Sequence, residues 1–171
     1  MAQASNFPLE VLYLRNTDIP QYVKDGVADI AIIGDNTEKE KKTGIVNTLN
    51  LGFSKCRLSI AVSKNVDFPD ISWLQGKRIA TSYPNSLKDF LTENNIEAEI
   101  HEISGSVEVA PNIGLADAIC DLVSTGSTLF KNGLKEVYKI FDSQAILVAN
   151  PNLSAEKKEL LDQLIFRIKA V

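Results

Sequence analysis

Between Asp117 and Gly133 the chain reads DAICDLVSTGSTLFKNG: an apolar run with two acids, four hydroxyl side chains around one glycine, then a helical pattern. A strand ending at Val123 and a helix beginning near Gly126 leave the first-turn amides without acceptors and with a partial positive charge. Gly126 removes a Cβ from the point of closest approach, while Ser124, Thr125, Ser127 and Thr128 add short hydroxyl donors. No lysine stands in the bend, which excludes a Walker-type loop. Amides and hydroxyls alone suit a phosphate monoester. Ser and Thr are also ordinary N-cap residues, so the bend by itself has a purely structural reading as well.

Asp121 shifts the balance. In the spacing D-x-x-x-T-G-x-T its carboxylate can reach the hydroxyls of a sugar whose 5-phosphate fills the bend. That arrangement is the one expected for phosphoribosyl diphosphate. Many phosphoribosyltransferases of the common fold place two adjacent acids before a similar turn. Cys120 precedes Asp121 here, so the agreement with that group is partial.

Other chemistries lack their residues. His101 is the one histidine and alternates with apolar residues in AEIHEIS, as a surface strand residue would, so a histidine metal site or triad is not expected. Cys56 and Cys120 stand in apolar runs without CxxC spacing and read as two buried free thiols of a reducing, cytoplasmic setting. Net charge is −4 with lysines and arginines dispersed; a nucleic-acid surface would need a basic stripe. The N-terminus, MAQASNFPLEVLYLR, has no basic region followed by a long apolar one. The longest apolar runs, IAIIG and LSIAVS, are strand-sized and too short to span a bilayer.

The elements that would position the bend alternate between apolar strands and amphipathic helices, the pattern of an α/β protein. Strands are expected at LEVLYLR (9–15), ADIAIIG (28–34), VNTLNLGF, CRLSIAVS, KRIATS, AEIHEIS, DAICDLV, VYKIFDS and AILVANP. Helices are expected at NTDIPQYVKDG, YPNSLKDFLTENN and GSTLFKNG, and SVEVAPNIG is read as a short helical turn. DNTEKEKKTG reads as a charged connector, a solvated loop or helical fragment. The tail from Ser154 reads as a capped helix whose Leu160, Leu161, Leu164, Ile165 and Ile168 form one stripe against a sheet. A Pro-containing link, VDFPDISWLQG, precedes a second α/β unit. The expected division is a first lobe of 1–62 and 145–171 and a second lobe of 63–144, joined by two crossing strands with a ligand cleft between.

The chain resembles the ATP phosphoribosyltransferase family, specifically the catalytic core of its long form. The resemblance rests on EVAPNIGLADAICDLVSTGSTL (108–129), with VLYLRNTDIPQYVKDGVADIAIIGDN (11–36), LGFSKCRLSIAV (51–62), GKRIATSYPN (76–85) and SGSVEVAP (104–111). It implies two α/β lobes of periplasmic-binding-protein-like type joined by paired hinge strands. It also implies the first step of histidine biosynthesis: N1 of ATP is joined to C1 of phosphoribosyl diphosphate with release of pyrophosphate, in the presence of Mg2+. Residue by residue, Ser124, Thr125, Gly126, Ser127 and Thr128 would hold the 5-phosphate and Asp121 the ribose hydroxyls. Glu108 would face the same cleft and touch ribose or the adenine amino edge, or else simply complement a helix start. Tyr83 would line the nucleotide pocket or serve as a packed aromatic. Arg15, Asp18 and Arg57 would reach triphosphate or pyrophosphate, or else form salt bridges between the lobes.

Two departures qualify the resemblance. The chain starts just before the segment equivalent to SNFPLEVLYLR, without the family's earlier strand and its K-x-G-R-L-like turn, and it stops at Val171, before a histidine-binding regulatory domain. The family's G-x-N-V-L reads GDNTEKE here. The expectation is a core short of one βα unit, without histidine feedback, and associating into dimers or higher homo-oligomers. The alternatives are a catalytically incomplete fragment or subunit that binds phosphoribosyl diphosphate, a non-catalytic two-lobe solute-binding module, and a salvage transferase acting on a free base.

Overall fold

The computed structural model describes all 171 residues, Met1 to Val171. The chain divides into two units: Met1–Glu38, Lys42–Leu51 and Ala145–Val171 form the first, and Lys39–Lys41 with Gly52–Gln144 the second.

The first unit opens with β1 (Ala2–Gln3) and β2 (Glu10–Val11), a two-residue antiparallel pair. The strand expected over 9–15 is thus cut short, because only β1 offers it a partner; Leu12 and Tyr13 are left exposed. Helix α1 (Ile19–Lys24) carries a proline in its first turn, where no N–H is needed, and ends at Gly26 with φ +73°. Strand β3 (Ile30–Gly34) follows. The charged stretch after it is a regular helix, α2 (Asp35–Lys41), with Asp35 and Glu38 in its first turn and Lys39 and Lys41 in its last, matching the helix dipole. Of the two readings of this stretch the helical fragment is the one that forms, but it is not solvated all round, since Asn36, Thr37 and Glu40 on it are buried. Strand β4 (Val46–Asn50) completes what the N-terminal half gives this unit.

The second unit is built on one sheet of five strands. It starts with β5 (Cys56–Ser63) and continues through β6 (Arg78–Thr81), helix α3 (Pro84–Glu93), β7 (Glu99–Glu102), β8 (Ala118–Val123), the short helix α4 (Ser127–Lys131) and β9 (Leu134–Ser143). The strand order is β7-β6-β8-β5-β9; β6 runs parallel to β7 and β8, whereas β5 is antiparallel to β8 and β9. Helix α3 buries Leu87, Phe90 and Leu91 at helical spacing against Leu58, Ile60, Val62 and Ile79 on one sheet face. Ala61, Ile119, Val123 and Leu129 form a separate core with Val107 and Ala110. Each fully buried leucine or isoleucine contributes about 1.5–3 kcal/mol of hydrophobic stabilisation.

The chain then returns to the first unit as β10 (Ala145–Ala149), the centre of a β3-β10-β4 sheet and buried at every position. Helix α5 (Ala155–Lys169), capped by the Ser154 hydroxyl accepting the Lys157 N–H, packs Leu161, Ile165 and Ile168 over it. The first boundary between units falls at Leu51, not at 62, because all of β5 pairs with β8 and β9.

Candidate functional site

The parallel trio β6, β7 and β8 shares one direction, so the segments leaving their C-terminal ends converge on one edge of the second unit. In open α/β sheets that edge is where ligands bind. Three of those segments carry the candidate residues: Tyr83 after β6, Glu108 in the connection after β7, and the Ser124–Thr128 bend after β8.

The bend is shaped by one glycine. Gly126 sits at φ +83° and ψ 0°, a left-handed conformation that makes it the residue before α4. A Cβ there would have room, with Val123 Cγ1 at 4.0 Å the nearest atom, so the backbone angle and not crowding selects glycine. The first intrahelical bond runs from Phe130 N–H to the Gly126 carbonyl at 3.0 Å. The amides of Ser127, Thr128 and Leu129 therefore lack helical acceptors. Thr125 Oγ1 accepts the Ser127 N–H at 3.3 Å and donates to Ser127 Oγ at 3.1 Å. All four hydroxyl residues are exposed. The turn thus offers amides and hydroxyls from one concave backbone, the donor set that an anion needs.

Opposed residues of an antiparallel pair share a face. Ser59 opposes Asp121, Arg57 opposes Val123, and Ala61 opposes both Ile119 and Glu136. Asp121, Ser59, Arg57 and Glu136 therefore project from the same face as the core of Ala61, Ile119, Val123 and Leu129. Asp121 is half-buried there and accepts one hydrogen bond, from the adjacent Leu122 N–H at 2.8 Å. Burial raises its carboxyl pKa above the ordinary value, and the Glu108 charge raises it further.

Glu108 is carried to the neighbourhood of β8 by its own turn. Glu108 lies in a 3-10 turn, Val107–Val109, whose Val107 and the following Ala110 pack with Ile119 and Val123 of β8. Tyr83 reaches the same neighbourhood from the start of α3. Its N–H donates to Thr81 Oγ1 at 2.9 Å, and that hydroxyl donates to the Cys120 carbonyl at 2.7 Å. Burial pushes the Tyr83 phenol up to about 12, with the Asp121 charge as the next cause. The ring also packs on the α3 core, so its structural reading holds beside the functional one. Cys120 is buried, with its thiol pKa raised by that burial, whereas Cys56 is only half-buried; both are free thiols.

Arg57 belongs to this unit and not to the first. Its Nε and Nη2 donate to the two Glu136 carboxylate oxygens, each at 2.6 Å, and its Nη1 donates to the Ser124 carbonyl at 3.1 Å. Ser59 Oγ donates to Glu136 Oε1 at 2.7 Å. Glu136 and Ser59 were missed by sequence reasoning. The polar positions 57 and 59 interrupting an apolar strand were the visible signal; the β9 register that supplies Glu136 was not visible. Arg15 and Asp18 lie in the first unit, exposed on the turn before α1, where the Arg15 carbonyl accepts the Asp18 N–H at 2.9 Å. They are not part of the group that converges in the second unit.

No cluster of three or more His, Cys, Asp or Glu residues that could hold a metal ion is present. The acids that converge near the bend are Asp121 and Glu108. This donor set fits a divalent ion that keeps most of its waters and arrives on phosphate oxygens, as magnesium commonly does.

Comparisons with known proteins bear on family and fold. Residues 15–170 match the family model described as HisG, ATP phosphoribosyltransferase. An ATP phosphoribosyltransferase of Cytophaga hutchinsonii is 64% identical over 168 residues, 98% of this chain and 59% of the relative. The chain therefore spans about three fifths of the length of such curated relatives. The ATP phosphoribosyl transferase (HisG:HisZ) complex from Thermotoga maritima contains a chain 31% identical to this one, with a TM-score of 0.82 over 92% of this chain and 76% of that one. At 16% identity, the substrate-binding protein of an amino-acid ABC transporter matches with a TM-score of 0.66, covering 94% of this chain and 72% of that one, and shares the fold alone. Matched over nearly its whole length, this chain belongs to the ATP phosphoribosyltransferase (HisG) family, with that family's two-lobe, periplasmic-binding-protein-like α/β fold.

Proposed function

We propose that the chain carries the phosphoribosyl diphosphate site of an ATP phosphoribosyltransferase, which joins N1 of ATP to C1 of the sugar and releases pyrophosphate, the opening reaction of histidine biosynthesis. One observation supports this most: an acid without a cationic partner, Asp121, stands on the strand that feeds a lysine-free turn of amides and hydroxyls. In this reading the Ser124–Thr128 amides and hydroxyls bind the 5-phosphate and Asp121 accepts hydrogen bonds from the ribose hydroxyls. Glu108 orients the ribose or the adenine amino edge, and Tyr83 forms a wall of the nucleotide pocket. Arg15 and Asp18 are the first-unit candidates for ATP phosphates.

Adenine N1 is itself a lone-pair nucleophile, so the chemistry asks little of a general base. Positioning and charge stabilisation at the developing oxocarbenium centre carry the rate. Mg2+ bound to the diphosphate, held largely by its oxygens and by waters, would make pyrophosphate a better leaving group. Free thiols at Cys56 and Cys120 fit a reducing, cytoplasmic setting. No helix is long and apolar enough to cross a membrane. Exposed Leu12, Tyr13 and Ile32 on the first unit support self-association.

The test is a titration of phosphoribosyl diphosphate with Mg2+, read by amide chemical shifts, followed by an assay of N1-phosphoribosyl-ATP formation. Shifts centred on Thr125–Thr128 are expected. If those amides stay unmoved while others respond, the assignment falls.

A further inference from the structure

We propose that Arg57 is a positioning residue for the phosphate-binding bend: held by Glu136, it fixes the Ser124 carbonyl and so aims the amides that follow. This deepens the reading above and rests on it. The other hydrogen bonds of Ser124–Thr128 are local, formed within the bend or along α4. Arg57 is the long-range tie. It crosses from β5 to a backbone atom 67 residues later in the chain.

The guanidinium is suited to this task because its rigid fork serves two acceptors in fixed directions. Two of its nitrogens are committed to Glu136 at 2.6 Å each, and the third is aimed at the carbonyl. Glu136 is fixed in turn. It opposes Ala61 on β5, two register shifts separate that pairing from Leu58, and the Ser59 hydroxyl anchors one of its oxygens at 2.7 Å. Ser59 is buried at 1% exposure while Glu136 is half-buried, so the serine end of this bond is fixed by the core. Glu136 offsets the arginine charge, leaving direction rather than net charge as the contribution to the bend. The carbonyl that Arg57 holds belongs to the peptide whose N–H is that of Thr125. Rotating that peptide would turn the first donor of the site away from the ligand.

The contrasting role is the direct triphosphate contact expected from the sequence, and two substitutions separate the two. Arg57→Lys keeps the charge but not the fork; Glu136→Gln keeps the shape but releases the arginine charge. Positioning predicts that each weakens phosphoribosyl diphosphate binding by about tenfold, with KM for that substrate rising and the KM for ATP and kcat near their original values. The double variant should be little worse than either single one, because the two residues act as a unit. Ser59→Ala should shift the same parameter in the same direction by less.

In the ligand-free chain, the Thr125 and Gly126 amide resonances should shift in Arg57→Lys while those of Val148 and Leu161 in the first unit stay unmoved. Unchanged phosphoribosyl diphosphate affinity in Arg57→Lys, or tighter ATP binding in Glu136→Gln, overturns the proposal. So do unmoved Thr125 and Gly126 resonances. If the original chain itself fails to bind phosphoribosyl diphosphate, the functional reading falls, and the amide shifts still decide whether Arg57 sets the bend.

Discussion

Asp117, just before β8, and Asp121, within it, stand four residues apart and have opposite fates. Asp117 accepts the Arg78 backbone N–H at 2.9 Å and two guanidinium nitrogens at 3.1 and 3.2 Å, while Arg78 also donates to the Gly114 carbonyl at 2.9 Å. Those bonds hold its carboxyl below the ordinary pKa. Asp121 meets an apolar core, its neighbour's amide and a second acid, and its carboxyl is held above. One carboxylate is satisfied by the fold. The other costs the fold stability, a pattern common at functional sites.

The sharpest way to break this contrast is to remove each acid and measure binding. Asp121→Ala should weaken phosphoribosyl diphosphate by about 10- to 100-fold, the worth of a hydrogen bond or two to a charged group, whereas Asp117→Asn should leave calorimetric affinity nearly unchanged. Equal losses in both would dissolve the distinction.

Stability should move the other way. Asp117→Asn should cost about 1 kcal/mol in urea unfolding, a low figure because the Asp117 and Arg78 side chains are 34% and 39% exposed and water screens the pair. Asp121→Asn should raise the melting temperature slightly at neutral pH.

The pH dependence sharpens the comparison further and carries the smallest effect. A depressed folded pKa gives stability that is present above the ordinary value of 3.8 and is lost as pH falls through the lower folded value; Asp117 follows that rule. A raised one gives stability that is full below 3.8 and lost as pH rises through the folded value; Asp121 follows that one. Thermal scans should therefore show the two variants departing from the original chain with opposite signs at pH 7, both differences fading under acid. A same-sign result would mean that the Asp121 charge is already compensated.

Both acids are visible in DAICDLV, yet their roles are not legible there. Asp117 finds its partner because β6 and β8 pair in parallel, Ile79 beside Ala118, which carries Arg78 across 39 residues of chain. The strand-to-helix turn itself could be read, since a glycine after an apolar strand and before a helical pattern marks one, and Gly126 makes it at φ +83°. The Ser154 cap and the α5 stripe were equally legible, being local and periodic. What failed was composition used as a guide to exposure. The charges of α2 suggested a solvated connector, but Glu40 is buried, its carboxylate accepting the Asn85 and Ser86 N–H groups at 2.9 and 2.8 Å. The alternation in LEVLYLR suggested a strand, but a strand needs a neighbour to bond, and β1 supplies only two residues. Arg57 read as a phosphate contact or as a salt bridge between lobes, because its counter-charge within the same unit lies 79 residues away.

The chain enters the five-stranded sheet after Leu51 and leaves it at Gln144, and these two points adjoin: the Gly52 N–H donates to Gln144 Oε1 at 3.0 Å, and Cys56 lies in register with Ser143. A stretch whose ends touch can be excised, or grafted into the surface turn of a host protein, without stretching its backbone. Its two apolar cores draw only on residues between Leu58 and Phe141. A 52–144 fragment should accordingly fold by itself, frayed at Asn85 where Glu40 is gone.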